Sequence, residues 1–265
     1  MTQIAPPAHD ESPAELHFRG FRINPMTGAG VVQAVASAVR GKRRLIMANI
    51  NLHGMALAYT SAGMRQVLQA PQSLVMIDSM PLLFALRLMG HKLGRRHRTT
   101  SLEFYDAMFA LGQAEGWRFG FVGGTQDVMI NGLAALRARF PALQIEGRQG
   151  YFNMSDWSQG SAQAELVAWM NAGQHDVMIV GMGMPRQEEW ICQVMDKVGV
   201  PVFLPAGGYL DYQVGAQVKA PRWLGQIGLE WCFRLLTAPR RMSYRYLVEP
   251  VVLLWHMRRG SPFVD

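Results

Sequence analysis

Short apolar runs alternating with segments of helical period constrain this chain more than any other feature. The runs lie at 45–48, 74–77, 119–122, 143–146, 177–180 and 202–204. Segments with apolar residues at helical spacing lie at 28–40, 55–68, 81–89, 102–115, 128–139, 162–172 and 186–197. Runs so short suit strands buried on both faces, and their alternation with helices predicts an α/β fold. The expected architecture is a Rossmann-like, mostly parallel sheet with helices on both faces. At 265 residues and 49% hydrophobic content, the chain has ample material for such a core.

In sheets of this kind ligands bind beyond the carboxyl ends of the strands. Here those ends are polar or glycine-rich almost throughout. The first run leads into Asn49 and Asn51, the second into Asp78 and Ser79, and the third into Gly123 and Gly124. Gly147 ends the fourth, and Gly207 and Gly208 follow the last. So many on one rim predict a cleft there.

The fifth run opens VMIVGMGMPRQEEWI, residues 177–191. Gly181 and Gly183 end the strand, and Pro185 stands where proline is favoured, in a first helical turn. A helix beginning there would turn its unpaired amides and the positive end of its dipole towards the rim, a setting that suits phosphate. An ordinary strand–helix joint needing small residues reads equally well from this stretch alone.

Charge is unevenly placed. Lys and Arg total 26 against 19 Asp and Glu, leaving +7, which favours an anionic partner: nucleic acid, lipid or phosphorylated substrate. Composition changes after about residue 218: from Lys219 to Arg259 the basic residues are Lys219, Arg222, Arg234, Arg240, Arg241, Arg245, Arg258 and Arg259, opposed only by Glu230 and Glu249. Trp223, Trp231, Phe233, Tyr244, Tyr246 and Trp255 are interleaved. A basic, Trp-rich amphipathic tail suits an anionic membrane surface; a helical pair packed on the α/β body is the other reading, and both can hold. The expected organisation is a flexible leader (1–20), a Rossmann-like catalytic domain (21–218) and a basic helical tail (219–265). The leader lacks the apolar core of a secretory signal, and no segment approaches the ~20 apolar residues of a membrane span. A soluble or peripheral protein is expected. Cys192 and Cys232 form no metal or disulfide pattern, the seven histidines show no ligand spacing, and a reducing compartment fits.

Asp78 ends a strand and begins a turn. Aimed into the cleft and partly desolvated, it suits a general base; it would also serve as the N-cap of 81–89. Thr100 or Ser101 caps the helix near 102, with contact to a sugar or phosphate as the sharper reading of Arg98 and Thr100, and Glu103 favours the dipole of its first turn. Gln187 is placed to reach a ligand, whereas Glu188 and Glu189 read as dipole or solvent-facing groups. Asp211 follows the last glycine turn and is suited to a ribose or base edge. There is no Asp-x-Asp to hold a divalent ion on a diphosphate, no Walker A motif and no G-x-S-x-G elbow. Amides and arginines would then have to carry the charge of a departing diphosphate.

Together these motifs resemble the WecG/TagA/CpsF family of bacterial glycosyltransferases (glycosyltransferase family 26). The resemblance rests on ANIN at 48–51, ID at 77–78, RTTS at 98–101, FVGG at 121–124, GYF at 150–152 and VGMGMPRQEEWI at 180–191. It continues through AGGYLD at 206–211 and KAPRWLGQIGLEWCFRLLTAPRR at 219–241. It implies metal-independent, inverting transfer from a UDP-sugar to a polyprenyl-diphosphate-linked sugar at the inner membrane face, with no cofactor and no nucleic-acid partner; a homo-oligomer stays open. On this resemblance Asp78 falls on the proposed base, with Asn49, Gln187, Arg234 and Arg241 as further catalytic positions. Gly123, Gly124, Tyr151, Gly181, Gly183, Pro185, Arg186, Gly207, Gly208 and Asp211 fall on the nucleotide-sugar side. Asn51, Arg98, Thr100 and Glu103 are acceptor-side candidates. The chain departs from the family at Met47, Ser101 and Glu103, and a third tail arginine is displaced, with Tyr244 or Arg245 near its place. These changes leave the donor open between N-acetylmannosamine, its uronic acid and a plain hexose such as glucose. The rival readings are an NAD(P)-dependent oxidoreductase, which the missing third glycine of G-x-G-x-x-G opposes, and a membrane-docked sugar-nucleotide binder without activity.

Overall fold

The computed structural model describes residues 15–218, 220, 221, 224 and 230–263. A two-stranded hairpin, β1 (Leu16–Phe18) and β2 (Phe21–Ile23), precedes α1 (Gly28–Arg40). Six strands then form one sheet: β3 (Leu45–Ile50), β4 (Ser73–Ile77), β5 (Arg118–Gly123), β6 (Gln144–Arg148), β7 (Val177–Gly181) and β8 (Val202–Pro205). Their order is β4-β3-β8-β7-β5-β6 and every neighbouring pair is parallel, as the alternation predicts. All six expected strands are present.

The connecting helices are α2 (Leu52–Ala58), α3 (Ala62–Gln69), α4 (Met80–Leu88), α5 (Ser101–Glu115), α6 (Gln126–Arg139), α7 (Ala162–Gly173), α8 (Arg186–Val194) and α9 (Tyr209–Gln213). Many begin on a Ser, Thr or Asn whose side chain accepts the amide three residues on: Thr27 from Gly30, Ser61 from Met64, Ser79 from Leu82, Thr125 from Val128, Ser161 from Ala164. This satisfies one of the donors that a helix start leaves unpaired. Such a cap splits the single helix expected over 55–68, because Ser61 starts α3 afresh after α2 has ended. Another corrects the alternative role of Asp78: Ser79, not Asp78, caps α4.

Alternation along the strands divides the core in two. Ile46, Ala48 and Ile50 of β3 join one apolar cluster with Val75, Ile77, Met178 and Phe203, while Met47, Met76, Ile179 and Leu204 join the other. Both faces are therefore covered, which is why the strands read as unbroken apolar runs. The expected leader boundary at residue 20 is also corrected. Residues 1–14 lie outside the described residues, but β1 begins at Leu16, pairs with β2 and packs Phe18 against the first cluster.

The tail folds on the body. It runs through α10 (Glu230–Thr237), α11 (Pro239–Ser243), a π-helical turn (Tyr244–Val248) and α12 (Glu249–Arg259). Leu253 is buried in the first cluster, the Tyr59 hydroxyl donates to the Gly260 carbonyl at 3.0 Å, and Tyr59 stacks on His256 with ring centroids 4.7 Å apart. Among the described residues no helix is long and apolar enough to cross a membrane.

Candidate active site

Because the strands are parallel, their carboxyl ends share one rim. At the β3–β4 end of it, the Asp78 amide donates to the Ile50 carbonyl at 2.9 Å, which extends the ladder one residue past the strand. The chain returns alongside: Ile77 bridges Arg98 in parallel, the Thr99 amide donates to the Ile77 carbonyl at 2.8 Å, and the buried Thr99 hydroxyl donates to the Met26 carbonyl at 2.6 Å. Backbone pairing thus brings Asp78 and Arg98, twenty residues apart, to one floor.

Asn51 is fixed on both sides. Its Oδ1 accepts the Gly54 amide at 2.9 Å as the N-cap of α2, so its Nδ2 is turned to donate to Asp78 Oδ2 at 3.0 Å. Above the floor the tail forms a wall. Glu230 bridges two arginines, accepting from Arg98 at 2.7 Å and from Arg234 one helical turn on. His53 Nδ1 lies 2.8 Å from Glu249 and ties α2 to α12. The cleft between floor and wall has a volume of about 290 Å³, and Arg245, Tyr246 and Trp231 also line it.

Its electrostatics follow from burial among these charges. Desolvation raises the Asp78 carboxyl above its ordinary value, and the nearby Glu230 adds to the rise; the Asn51 hydrogen bond, Arg234 and Arg98 oppose it without cancelling it. Burial works against the Arg234 charge, but Glu230, with Tyr212, Tyr246 and Asp78 beyond it, outweighs that and raises its pKa. Burial lowers the pKa of Arg245, with Arg234 adding to the effect. A carboxyl raised from its ordinary value and faced by partly buried cations can take a proton from a neutral hydroxyl beside an anion.

The β5–β7 end is built differently. Gly123 lies beside Gly181 in register, the Gly124 amide donates to the Gly181 carbonyl at 3.2 Å, and the Gly150 amide donates to the Gly124 carbonyl at 2.9 Å. A Cβ on Gly123 would lie 2.3 Å from the Gly181 oxygen, so the strand ends meet backbone to backbone. The connections leaving β5 and β7 run in opposite directions across the sheet, towards β6 and β8, and such a switch point opens a crevice. Gln187, 1% exposed, closes it from beneath: its Oε1 accepts the Gly207 amide at 3.0 Å and its Nε2 donates to Glu188 at 2.7 Å.

The chain matches the description "Glycosyl transferase WecG/TagA/CpsF family" over residues 16–262. It belongs to that family. Curated relatives from Staphylococcus aureus, in strains NCTC 8325 / PS 47 and MRSA252, are 27% identical to it over 147 residues, 56% of this chain and 55% of the relative. The match thus spans about half the length of those relatives. Each bears the name N-acetylglucosaminyldiphosphoundecaprenol N-acetyl-beta-D-mannosaminyltransferase.

Of the residues this WecG/TagA/CpsF chain was expected to use, the structure brings Asp78, Asn51, Arg98 and Arg234 into one cleft. Asn49 stands apart: its Nδ2 donates to the Pro205 carbonyl at 3.1 Å, between β3 and β8. Gln187 supports the Gly207 turn rather than lining the Asp78 cleft. Arg186 donates to the Gly150 and Phe152 carbonyls, the second at 2.6 Å, and so shapes the loop that carries the exposed Tyr151. Pro185 precedes α8, and Gly208 and the half-buried Asp211 lie close together, a Cβ on Gly208 falling 3.0 Å from Asp211 Oδ2. The Arg241 side chain lies outside the described residues. Glu103 is exposed in the first turn of α5, where the sequence sets it on the helix dipole, and its Oε2 also accepts the Thr100 amide at 2.9 Å.

Of the two roles expected of Glu188, the solvent-facing one is corrected: it stands in the first turn of α8 but is 1% exposed, and burial pushes its carboxyl up to about 7. It stands one position after Gln187 on the inward face of α8, where the helical period puts Ile191 as well. The acidic letters of the motif had hidden that face. His53, Glu230, Trp231 and Tyr246 are cleft residues that sequence reasoning did not select. The basic, aromatic composition of the tail pointed towards Trp231 and Tyr246, whereas nothing local marks His53 or Glu230.

Proposed function

We propose that this protein is an inverting glycosyltransferase that moves a hexose from a UDP-sugar to a polyprenyl-diphosphate-linked sugar. The observation that carries the reading is the Asp78 carboxyl, raised by burial, held by Asn51 and faced by arginines at a strand-end cleft. The acceptor hydroxyl oxygen attacks the anomeric carbon while Asp78 takes its proton. The bond from that carbon to the diphosphate oxygen breaks with its electron pair, and UDP leaves. Attack opposite the leaving group inverts the centre.

In this reading the nucleotide lies along the glycine crevice and its diphosphate reaches towards Arg234 and Arg245. The strands bearing Asp78 and Gly181 are three spacings apart in the sheet, roughly 14 Å, a span suited to a nucleotide at one end and a reacting sugar at the other. Arginines meet diphosphate oxygens bidentately, so they supply here the charge that a divalent ion supplies elsewhere. We assign no metal or cofactor. The names of the relatives favour an N-acetylglucosaminyl-diphospho-prenol acceptor and an N-acetylmannosamine donor; the departures at Met47, Ser101 and Glu103 keep a plain hexose donor in the comparison. The protein would act as a peripheral enzyme on the inner membrane face.

The test is a panel of UDP-sugars offered with short-chain prenyl-diphosphate sugars, with Asp78→Asn beside the wild type. Loss of a general base costs about 10²–10⁴-fold in turnover, and UDP affinity should be retained. Turnover of Asp78→Asn equal to wild type would remove Asp78 from the role. UDP-sugar binding without UDP release in the wild type would favour the non-catalytic binder, and stabilisation by NAD rather than UDP the oxidoreductase.

A further inference from the structure

A second cavity, of about 220 Å³, lies beside the cleft between α2, α4 and α12, and every residue lining it is apolar. Leu52 and Pro250 line both spaces, so the two adjoin there. From that junction the groove runs between Leu82 and Ala85 of α4 and Leu253 and Leu254 of α12, over Met55. An apolar cavity excludes ordered water and accepts an apolar guest. Its place next to the partly buried Arg98, Arg234 and Arg245 asks for a molecule that is anionic at one end and hydrocarbon at the other.

The mouth has the same character. Phe84 and Leu88 lie one turn apart on α4 and are 50% and 89% exposed; Val251, Leu254 and Trp255 do the same on α12, at 66%, 61% and 49%. Two helices from distant parts of the chain thus present apolar faces on either side of one groove, beyond the scattered exposed hydrophobics of an ordinary surface. Lys92 and Arg96 follow α4, and Arg258 and Arg259 close α12, all four exposed, a charge pattern complementary to anionic headgroups.

We infer that this groove seats the first isoprene units of the acceptor's prenyl chain, an inference that rests on the acceptor class proposed above. The diphosphate lies at the arginines, the chain crosses the junction at Leu52 and Pro250, and it leaves between α4 and α12 towards the bilayer. Chain length then contributes to acceptor affinity, and the sugar is held at Asp78 from its lipid end.

Ala85→Trp, which fills the groove away from the cleft, tests this with two acceptors of identical sugar diphosphate, one carrying a farnesyl chain and one a two-carbon tether. The expected result is a KM for the farnesyl acceptor raised about tenfold or more, with KM for the tethered acceptor, KM for the donor and kcat near wild type. Leu254→Asn, at an exposed position, should shift KM in the same direction without risk to folding. An unchanged farnesyl KM in both variants, or an equal loss on both acceptors, would overturn the inference. A benzophenone-tipped geranyl diphosphate gives an answer independent of turnover: photo-crosslinks should map by peptide mass spectrometry to α4 and α12 and disappear in Ala85→Trp. Crosslinks in the groove without sugar transfer would sink the proposed reaction and keep the groove; transfer with crosslinks elsewhere, or with the probe on a second copy of the chain, would do the reverse.

Discussion

The β3–β4 and β5–β7 ends of the rim belong to one sheet yet are made of different material. At the first, side chains occupy the space: Asp78, Asn51 and Arg98 on the floor, Glu230, Arg234 and Arg245 in the wall. At the second, glycines bring backbone against backbone at Gly123, Gly150 and Gly181, and the charged or polar groups beneath are buried supports. One end therefore carries the groups that would change charge in the proposed reaction, and the other carries shape. Substitutions at the first should alter rate with little loss of stability. At the second they should alter stability first.

The largest effect expected is at Asp78. Beyond its loss of turnover by about 10²–10⁴-fold, Asp78→Asn should be more stable than wild type at neutral pH. The sign follows from burial: a carboxyl raised in the folded state contributes stability below its unfolded pKa and loses it as pH rises through the folded value. The Asn variant lacks that loss, so the two proteins should converge in acid and separate towards neutrality in urea denaturation. A variant both inactive and less stable at pH 7 would mean that the carboxylate supports the fold, and the contrast between the two ends would fail.

Glu188 sharpens the comparison because it is acidic but lies under the glycine end. Its carboxyl, normally near 4.5, is pushed to about 7 by burial, with Glu189 adding to the rise and Gln187 opposing it. Stability tied to it is present below about pH 4.5 and is lost as pH rises through about 7. Glu188→Gln should therefore match wild type at pH 4.5 and exceed it by about 3 kcal/mol at pH 8. Denaturation midpoints at the two pH values check this. An acceptor KM changed alongside would place Glu188 with the reacting groups instead.

Gly123→Ala is the matching change in the backbone. Its Cβ would fall 2.3 Å from the Gly181 oxygen and 2.7 Å from the Gly181 Cα, atoms of a central strand that have nowhere to go. Overpacking of this kind costs about 1–3 kcal/mol, a fall in Tm of roughly 2–12 °C. A thermal melt reads it. The proposed nucleotide position adds that UDP affinity should fall as well, whereas Asp78→Asn should leave it alone.

How much of this was legible in the sequence differs between the two ends for a physical reason. Strand period, helix caps and glycine turns are local, so the sheet, most helices and the glycine crevice could be read from runs such as 119–124 and 177–183. The charged cleft is assembled from places distant in the chain. Asp78 and Arg98 meet through one backbone bridge, and Glu230 joins them from across the molecule. Local pattern could single out Asp78 and Arg98 as candidates but not show that Asn51, an N-cap, also donates to Asp78, nor that His53 anchors the tail through Glu249. Asn49 and Asn51 looked alike on paper. Asn49 still lies within β3 and reaches the β8 carbonyl, whereas Asn51, the first residue past the strand, reaches the carboxylate.

Glu103 offers the smallest and cleanest discrimination. Sequence reasoning left it between the acceptor side and the helix start, and the structure shows an exposed carboxylate accepting the Thr100 amide at 2.9 Å. If that is its whole role, Glu103→Ala loses half of a capping pair at the first turn of α5, a cost of about 0.5–1 kcal/mol, and kcat and acceptor KM stay at wild-type values. Glu103→Gln, which can still accept the amide, should recover most of that stability. The informative outcome is a split: if Gln restores the melting temperature but not the acceptor KM, the carboxylate charge reaches the acceptor sugar. The reacting surface would then extend past Arg98 along the start of α5, and the charged end of the rim would be wider than the cleft seen here.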